Sequence, residues 1–280
     1  YHIKNRDEFA WLPDNVAKVV GKKVVLDADI DMSGVDWKPI FIGDYNRYEF
    51  DGQNHTLRNF TVNGQYGGKT PTKWLQFNGY VGIWGHFAGS MKNLKVENLI
   101  INPLAHSKID ETGKDHSKET AYFAGVIGHA GQNFPFIENI HVNNIIIKSS
   151  GYNQSGSVGG LLGFAGGGSS IKNCTVKNAI LVGGETGGLI GKIHGGSTVE
   201  NCTTEDVSIR SRQRLLKALA LSKFIGTIVN GDNFHIRNCT GATNYTVLND
   251  QTGAADTSFN PAHEMYGLCE ANAASITITP

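Results

Sequence analysis

Gly159-Gly160-Leu161-Leu162-Gly163 is followed ten residues later by Asn173-Cys174-Thr175-Val176-Lys177-Asn178. Gly187-Gly188-Leu189-Ile190-Gly191 is followed at the same distance by Asn201-Cys202-Thr203-Thr204-Glu205-Asp206, so the block recurs after 28 residues. A fixed period of this length is the mark of a chain built from stacked units, each too small to bury a core alone.

Working outward, six segments superimpose when Asn59, Asn93, Asn139, Asn173, Asn201 and Asn238 share a column. Two positions earlier stand Leu57, Met91, Ile137, Ile171, Val199 and Ile236. One later stand Phe60, Leu94, Ile140, Cys174, Cys202 and Cys239, and three later Val62, Val96, Val142, Val176 and Thr204. From the second segment on, Leu99 and Ile101, Ile145 and Ile147, Ala179 and Leu181, and Val207 and Ile209 fall six and eight later.

Strict alternation would keep every inward residue on one parity. The phase instead slips at the aligned Asn and again at Asn98, Asn144, Asn178 and Asp206. Two polar residues between apolar ones are what a chain shows when it turns a corner without leaving its core. Asn suits such corners because it tolerates left-handed backbone and its amide can bond the layers above and below.

The pattern predicts an all-β, single-stranded parallel β-helix or β-solenoid, right-handed, with triangular coils of three short strands. Seven coils at about 4.8 Å each make a core roughly 34 Å long. The column Lys92, Glu138, Lys172, Glu200, Arg237 alternates in sign, as strands stacked in this register require.

Gly160-Leu161-Leu162-Gly163 and Gly188-Leu189-Ile190-Gly191, each with its following Asn-Cys-Thr, resemble the GLUG repeat of bacterial secreted and surface proteins. The upstream signs Leu26-Asp27-Ala28-Asp29-Ile30-Asp31-Met32-Ser33, Trp37-Lys38-Pro39-Ile40 and Phe50-Asp51-Gly52-Gln53-Asn54-His55-Thr56-Leu57 resemble the block that often precedes those repeats. The resemblance spans roughly residues 22–247; Val81-Gly82-Ile83-Trp84-Gly85 and Ser222-Lys223-Phe224-Ile225-Gly226 depart from it. It implies an exported, surface-associated, adhesin-like β-helical protein, with such repeats also accompanying peptidase domains as accessory parts. It transfers no catalytic motif onto these positions.

The chain reads as one structural domain in three parts: an N-terminal cap at 1–21, the solenoid at 22–248 and a C-terminal cap at 249–280. Residues 5–20 read as a short capping helix, with Asn5 as N-cap, Glu8 three later, and Phe9, Leu12, Val16 and Val19 facing the core. Pro13 is placed to split it. Ser275-Ile276-Thr277-Ile278-Thr279 alternates like a strand.

Composition narrows the function classes. With 25 basic and 25 acidic residues well mixed, the chain lacks the concentrated positive charge that nucleic acid or an anionic membrane surface needs. No apolar run reaches the roughly 18 residues of a spanning helix, so no membrane insertion is expected. The opening Tyr1-His2-Ile3-Lys4 shows no leader, consistent with a signal peptide already removed. The 35 Gly against 7 Pro fit recurrent tight bends in an ordered fold.

Insertions fall at one place in the repeat, approximately 64–79, 102–121, 148–157, 182–186 and 210–221, and must leave the rod from one edge. The first two carry Tyr66, Trp74, Phe77, His106 and His116, the candidate ligand-binding residues. The alternative is that these are merely tolerated solvent loops.

No metal site, cofactor or catalytic residue is expected. Asp27, Asp29 and Asp31 could in principle hold Ca²⁺, but a calcium loop curls around its ion and this segment reads as extended. His86 and His129 share a column that continues Phe164, Lys192, Thr227, which is no zinc set and reads as a mixed surface column. Cys174, Cys202 and Cys239 read as core-filling free thiols.

The function expected is extracellular or cell-surface binding and adhesion toward a glycan or a host or matrix protein. A β-helical polysaccharide lyase or hydrolase is the enzymatic rival, disfavoured because Glu97, Asn143, Lys177 and Glu205 give no neighbouring carboxylates. A structural spacer, or an accessory domain of a larger surface protein such as a peptidase, is the third reading.

Overall fold

The structure, a computed structural model, describes residues 1–43, 46–63, 79–102, 122–131, 135–149, 156–211, 221–241, 246–249, 265–269 and 275–280. Its described strands form three sheets of 14, five and seven strands, with parallel pairing throughout and no closed barrel. Strands one repeat apart in sequence are neighbours in space.

The long strands show how the register arises. Gly89–Ile101 pairs with Phe136–Lys148, matching Met91 to Ile137, Leu94 to Ile140, Val96 to Val142 and Leu99 to Ile145. The same columns continue through Ile171, Val176 and Ala179 to Val199, Thr204 and Val207. Their side chains are buried, and every column of this interior is apolar but for Thr204. Shifting any pass by one residue would turn its whole apolar set outward, so burial fixes the pairing.

Each long strand bends twice without leaving its sheet. Asn93 and Asn98, Asn139 and Asn144, and Asn173 and Asn178 all hold φ between 51° and 55°. That left-handed geometry costs most residues about 1–2 kcal/mol and Asn less. The side chains then bond along the stack: Asn139 donates to Asn93 at 2.9 Å, Asn201 to Asn173 at 3.1 Å and Asn238 to Asn201 at 3.1 Å.

The first segment departs from the expected alignment. Asn59 pairs with the second bend, not the first: Asn98 donates to it at 3.0 Å, and Leu57 lies against Val96, Phe60 against Leu99 and Val62 against Ile101. The first bend of that pass is the left-handed pair Gln53 and Asn54, and Phe50 takes the place beside Met91. Asn59 precedes Phe60 just as Asn93 precedes Leu94 at a first bend and Asn98 precedes Leu99 at a second, so one segment alone does not distinguish them.

The charge column holds strand by strand. Asp51 faces Lys92, which faces Glu138, then Lys172, Glu200 and Arg237. Lys172 reaches Glu200 at 3.0 Å, a half-exposed surface pair of the kind worth a few tenths of a kcal/mol.

The glycine pairs let the two smaller sheets meet backbone to backbone. A Cβ on Gly128 would stand 2.6 Å from the Val81 nitrogen and 3.0 Å from the Tyr122 carbonyl oxygen. On Gly160 it would stand 2.4 Å from the Gly188 carbonyl oxygen of the next pass. No side chain fits at such distances, which explains the recurring Gly-Gly-Leu-x-Gly. Lys223 replaces the first glycine in the last repeat, and its side chain lies along Gly241.

At the N-terminal end Pro13 splits the helical segment into Arg6–Ala10 and Leu12–Asn15. Asn5 accepts from the Glu8 nitrogen at 3.0 Å, and Glu8 accepts from the Lys4 nitrogen at 2.7 Å. Phe9 is buried against Trp37, with ring centroids 5.1 Å apart. At the other end, Tyr266–Cys269 and Ile276–Thr279 add parallel strands beside Ile225–Val229 and Phe234–Arg237.

Candidate functional site

The roots of the insertions lie together. Each insertion leaves the end of a long-sheet strand and re-enters at a strand of the five-stranded sheet. The exit residues Val62, Ile101, Ile147, Leu181 and Ile209 stack in one register. The entry residues Tyr80, Tyr122, Ser157 and Glu185 stack in another. The described residues that flank 64–78, 103–121, 150–155 and 212–220 therefore line one edge, while between Gly183 and Glu185 the link is short. Tyr66, Trp74, Phe77, His106 and His116 all lie outside the described residues.

At these roots the structure brings together rings that the sequence kept apart. His129 pairs with His86 and Phe164 on neighbouring strands, with centroids 4.7 and 4.8 Å away. Tyr80 stacks on His129 at 4.6 Å and 12°, and Tyr122 on Phe164 at 4.8 Å and 30°. His194 meets the Phe164 ring edge-on at 5.3 Å. The column is thus not a mixed surface one. His86 is 2%, His129 9% and Phe164 4% exposed, because the glycines bring Tyr80 and Tyr122 over it. Only Tyr122 among these stacked tyrosines is half-buried.

His86 donates from Nδ1 to the Ile42 carbonyl. The stack ends in a polar group: Ser157 donates to Glu185 at 2.7 Å, and Lys192 stands 3.5 Å from the other Glu185 oxygen. The ring faces pack on one another, and Tyr80 and Tyr122 stand on the strands that follow 64–78 and 103–121. Tyr80 and Tyr122 were missed in the sequence because each sits just behind an insertion, outside the columns that align on Asn.

The other candidates are occupied by protein partners. Asp27 receives His2 at 2.9 Å, and Asp29 receives the Thr56 nitrogen at 2.9 Å and faces His55 at 3.2 Å. Asp31 accepts from Ser33, Asn59 and Arg58, bonds that hold its carboxyl well below the ordinary range. Asp29 is lowered too, chiefly by the Thr56 backbone bond.

Cys174, Cys202 and Cys239 are free thiols in one column, with the Cys174 nitrogen 3.4 Å from the Cys202 sulfur. The bond to Cys174 pushes the Cys202 thiol up and the bond to Cys202 does the same for Cys239, so neither is primed as a thiolate. Among the described residues no group of three His, Cys, Asp or Glu could hold a metal ion, and no helix is long and apolar enough to cross a membrane.

No curated protein matches the chain. Among solved structures, the whole chain aligns with 84% of a "putative immunoglobulin A1 protease" from Bacteroides ovatus, at 19% identity and a TM-score of 0.53, a likeness of fold. In sequence, residues 154–181 match the GLUG motif, so the pass from Gly159-Gly160-Leu161-Leu162-Gly163 through Asn173-Cys174-Thr175 is a GLUG repeat.

Proposed function

We propose that the chain is a right-handed, triangular β-solenoid that serves as an extracellular or cell-surface binding module, engaging a glycan or a host or matrix protein through its insertions. The observation that supports this is the common edge: exit residues Val62, Ile101, Ile147, Leu181 and Ile209 share a register, and so do entry residues Tyr80, Tyr122, Ser157 and Glu185. Outward side chains at the bends and in the charge column are bonded to one another in ladders, which leaves the insertions as the variable surface. GLUG repeats occur in extracellular proteins, and the location follows that association.

The test is a glycan array, with immobilised matrix proteins beside it and an unrelated β-solenoid as control. A selective signal that falls on Trp74→Ala, at unchanged stability, supports the reading. A selective signal indifferent to Trp74→Ala moves the site away from the first insertion, and a blank on every surface removes the binding role.

A second reading comes from the name of the solved neighbour: the chain belongs to a surface protein with peptidase activity, as that activity's scaffold or accessory part. Incubation with immunoglobulin A1 tests activity of the chain itself, since discrete heavy-chain fragments would establish it.

A further inference from the structure

Cys174, Cys202 and Cys239 stand level with one another in successive passes. Lys172 pairs with Glu200 and Thr175 with Thr203 on either side of the first two, and Glu200 with Arg237 and Thr203 with Thr240 on either side of the last two. Their side chains share one orientation. Each thiol donates to the carbonyl two residues back, Cys174 to Lys172 at 3.0 Å, Cys202 to Glu200 at 3.2 Å and Cys239 to Arg237 at 3.1 Å. Sulfurs held alike on parallel strands repeat at the strand spacing, about 4.8 Å.

That spacing decides what the column can hold. A disulfide brings its sulfurs to about 2.05 Å, so both side chains would have to leave this orientation to form one. Two metal–thiolate bonds of about 2.3 Å laid end to end span about 4.6 Å, which the column offers as it stands. Zinc takes four ligands in a tetrahedron, and among the described residues no group of three His, Cys, Asp or Glu is placed to share an ion. Soft closed-shell cations such as Cu(I) prefer thiolates and accept two of them in a line.

One pair of sulfurs is better prepared than the other. The Cys202 sulfur accepts from the Cys174 nitrogen at 3.4 Å and the Cys239 sulfur from the Cys202 nitrogen at 3.5 Å. No backbone N–H of the described residues reaches the Cys174 sulfur, which bonds the Lys172 carbonyl alone. A backbone N–H aimed at sulfur favours its charged form. We propose that Cys202 and Cys239 form a linear two-thiolate site for one soft monovalent cation of the Cu(I) class. Each thiol gives up its proton as its metal–sulfur bond forms, so two protons leave for each cation bound. The bridge then reinforces the bend where Asn238 already donates to Asn201.

Ag(I) is the probe, since it carries the same charge and keeps one oxidation state in water. The reduced whole chain is equilibrated with it in nitrate buffer under argon and desalted, and retained silver and released protons are measured. Wild type holds one Ag(I), releases two protons for it and melts higher with silver than without. Cys202→Ala and Cys239→Ala lose that ion, while Cys174→Ala and Cys269→Ala keep it. X-ray absorption of the silver-loaded wild type shows two sulfur neighbours, a readout that stands even where a variant fails to fold. A wild-type chain that retains no silver overturns the proposal. So does a folded Cys239→Ala chain that retains as much as wild type, or an absorption spectrum with one sulfur or with three.

Discussion

The side-chain amide of Asn144 donates to Asn98 at 2.7 Å across adjacent passes, both residues holding φ at 55°. One residue type thus meets two demands at the bend, a left-handed backbone and a bond along the stack. Asn98 passes the same contact on to Asn59.

Asn144→Ala therefore loses about 1–2 kcal/mol of backbone tolerance and roughly a further 1 kcal/mol for the bond. Asn144→Gly keeps the backbone and loses mainly the bond. Urea midpoints should rank wild type above Gly above Ala; equal midpoints for the two variants would show that the left-handed angle imposes no strain.

Close approach at the glycines gives a sharper contrast. Gly160→Ala would place its Cβ 2.4 Å from a carbonyl oxygen and 2.5 Å from a Val176 methyl carbon, whereas at Gly167 the nearest atom is 3.3 Å away. The expected loss is several kcal/mol at Gly160 and under about 1 kcal/mol at Gly167. Comparable thermal melts for both would mean that Gly160 is not in close contact with the backbone of the next pass.

Val176 is fully buried. Val176→Asp puts a carboxylate in that column with no cation, a change that costs more than a typical domain can spare. The variant should lose its cooperative melt, and a wild-type melting temperature would place the column at the surface.

Asp31 carries a pH signature. Its folded carboxyl is held well below the usual range by bonds from Ser33, then Asn59 and Arg58, so the stabilisation is complete above the unfolded value of about 4. It is lost as pH falls through the depressed folded value. Wild type should exceed Asp31→Asn in urea midpoint near about pH 6, and the gap should close on acidification below about pH 4. A gap independent of pH would assign the effect to packing.

Much of this was legible before the structure. From Asn93 onward each column pairs as aligned, because the 28-residue unit carries two slips of phase and admits one register. Asn59 was misplaced because Gln53-Asn54 and Asn59 make bends of the same chemistry one strand segment apart. The His86–His129–Phe164 column read as surface because its cover, Tyr80 and Tyr122, follows insertions that keep no period. The insertion residues themselves obey no repeat, so neither columns nor slips constrain them.

Binding at the common edge is the central claim, and shortening one insertion tests it most directly. The link between Gly183 and Glu185 shows the length the stack needs, so 103–121 can be replaced by Gly-Gly between Asn102 and Tyr122. Ligand binding and thermal melting of this chain are then measured beside wild type, using whichever array ligand the intact chain selects. The account predicts an unchanged melt with binding reduced at least about tenfold, a loss of about 1.4 kcal/mol. Full binding by the shortened chain, or no ligand for the intact one, would contradict it.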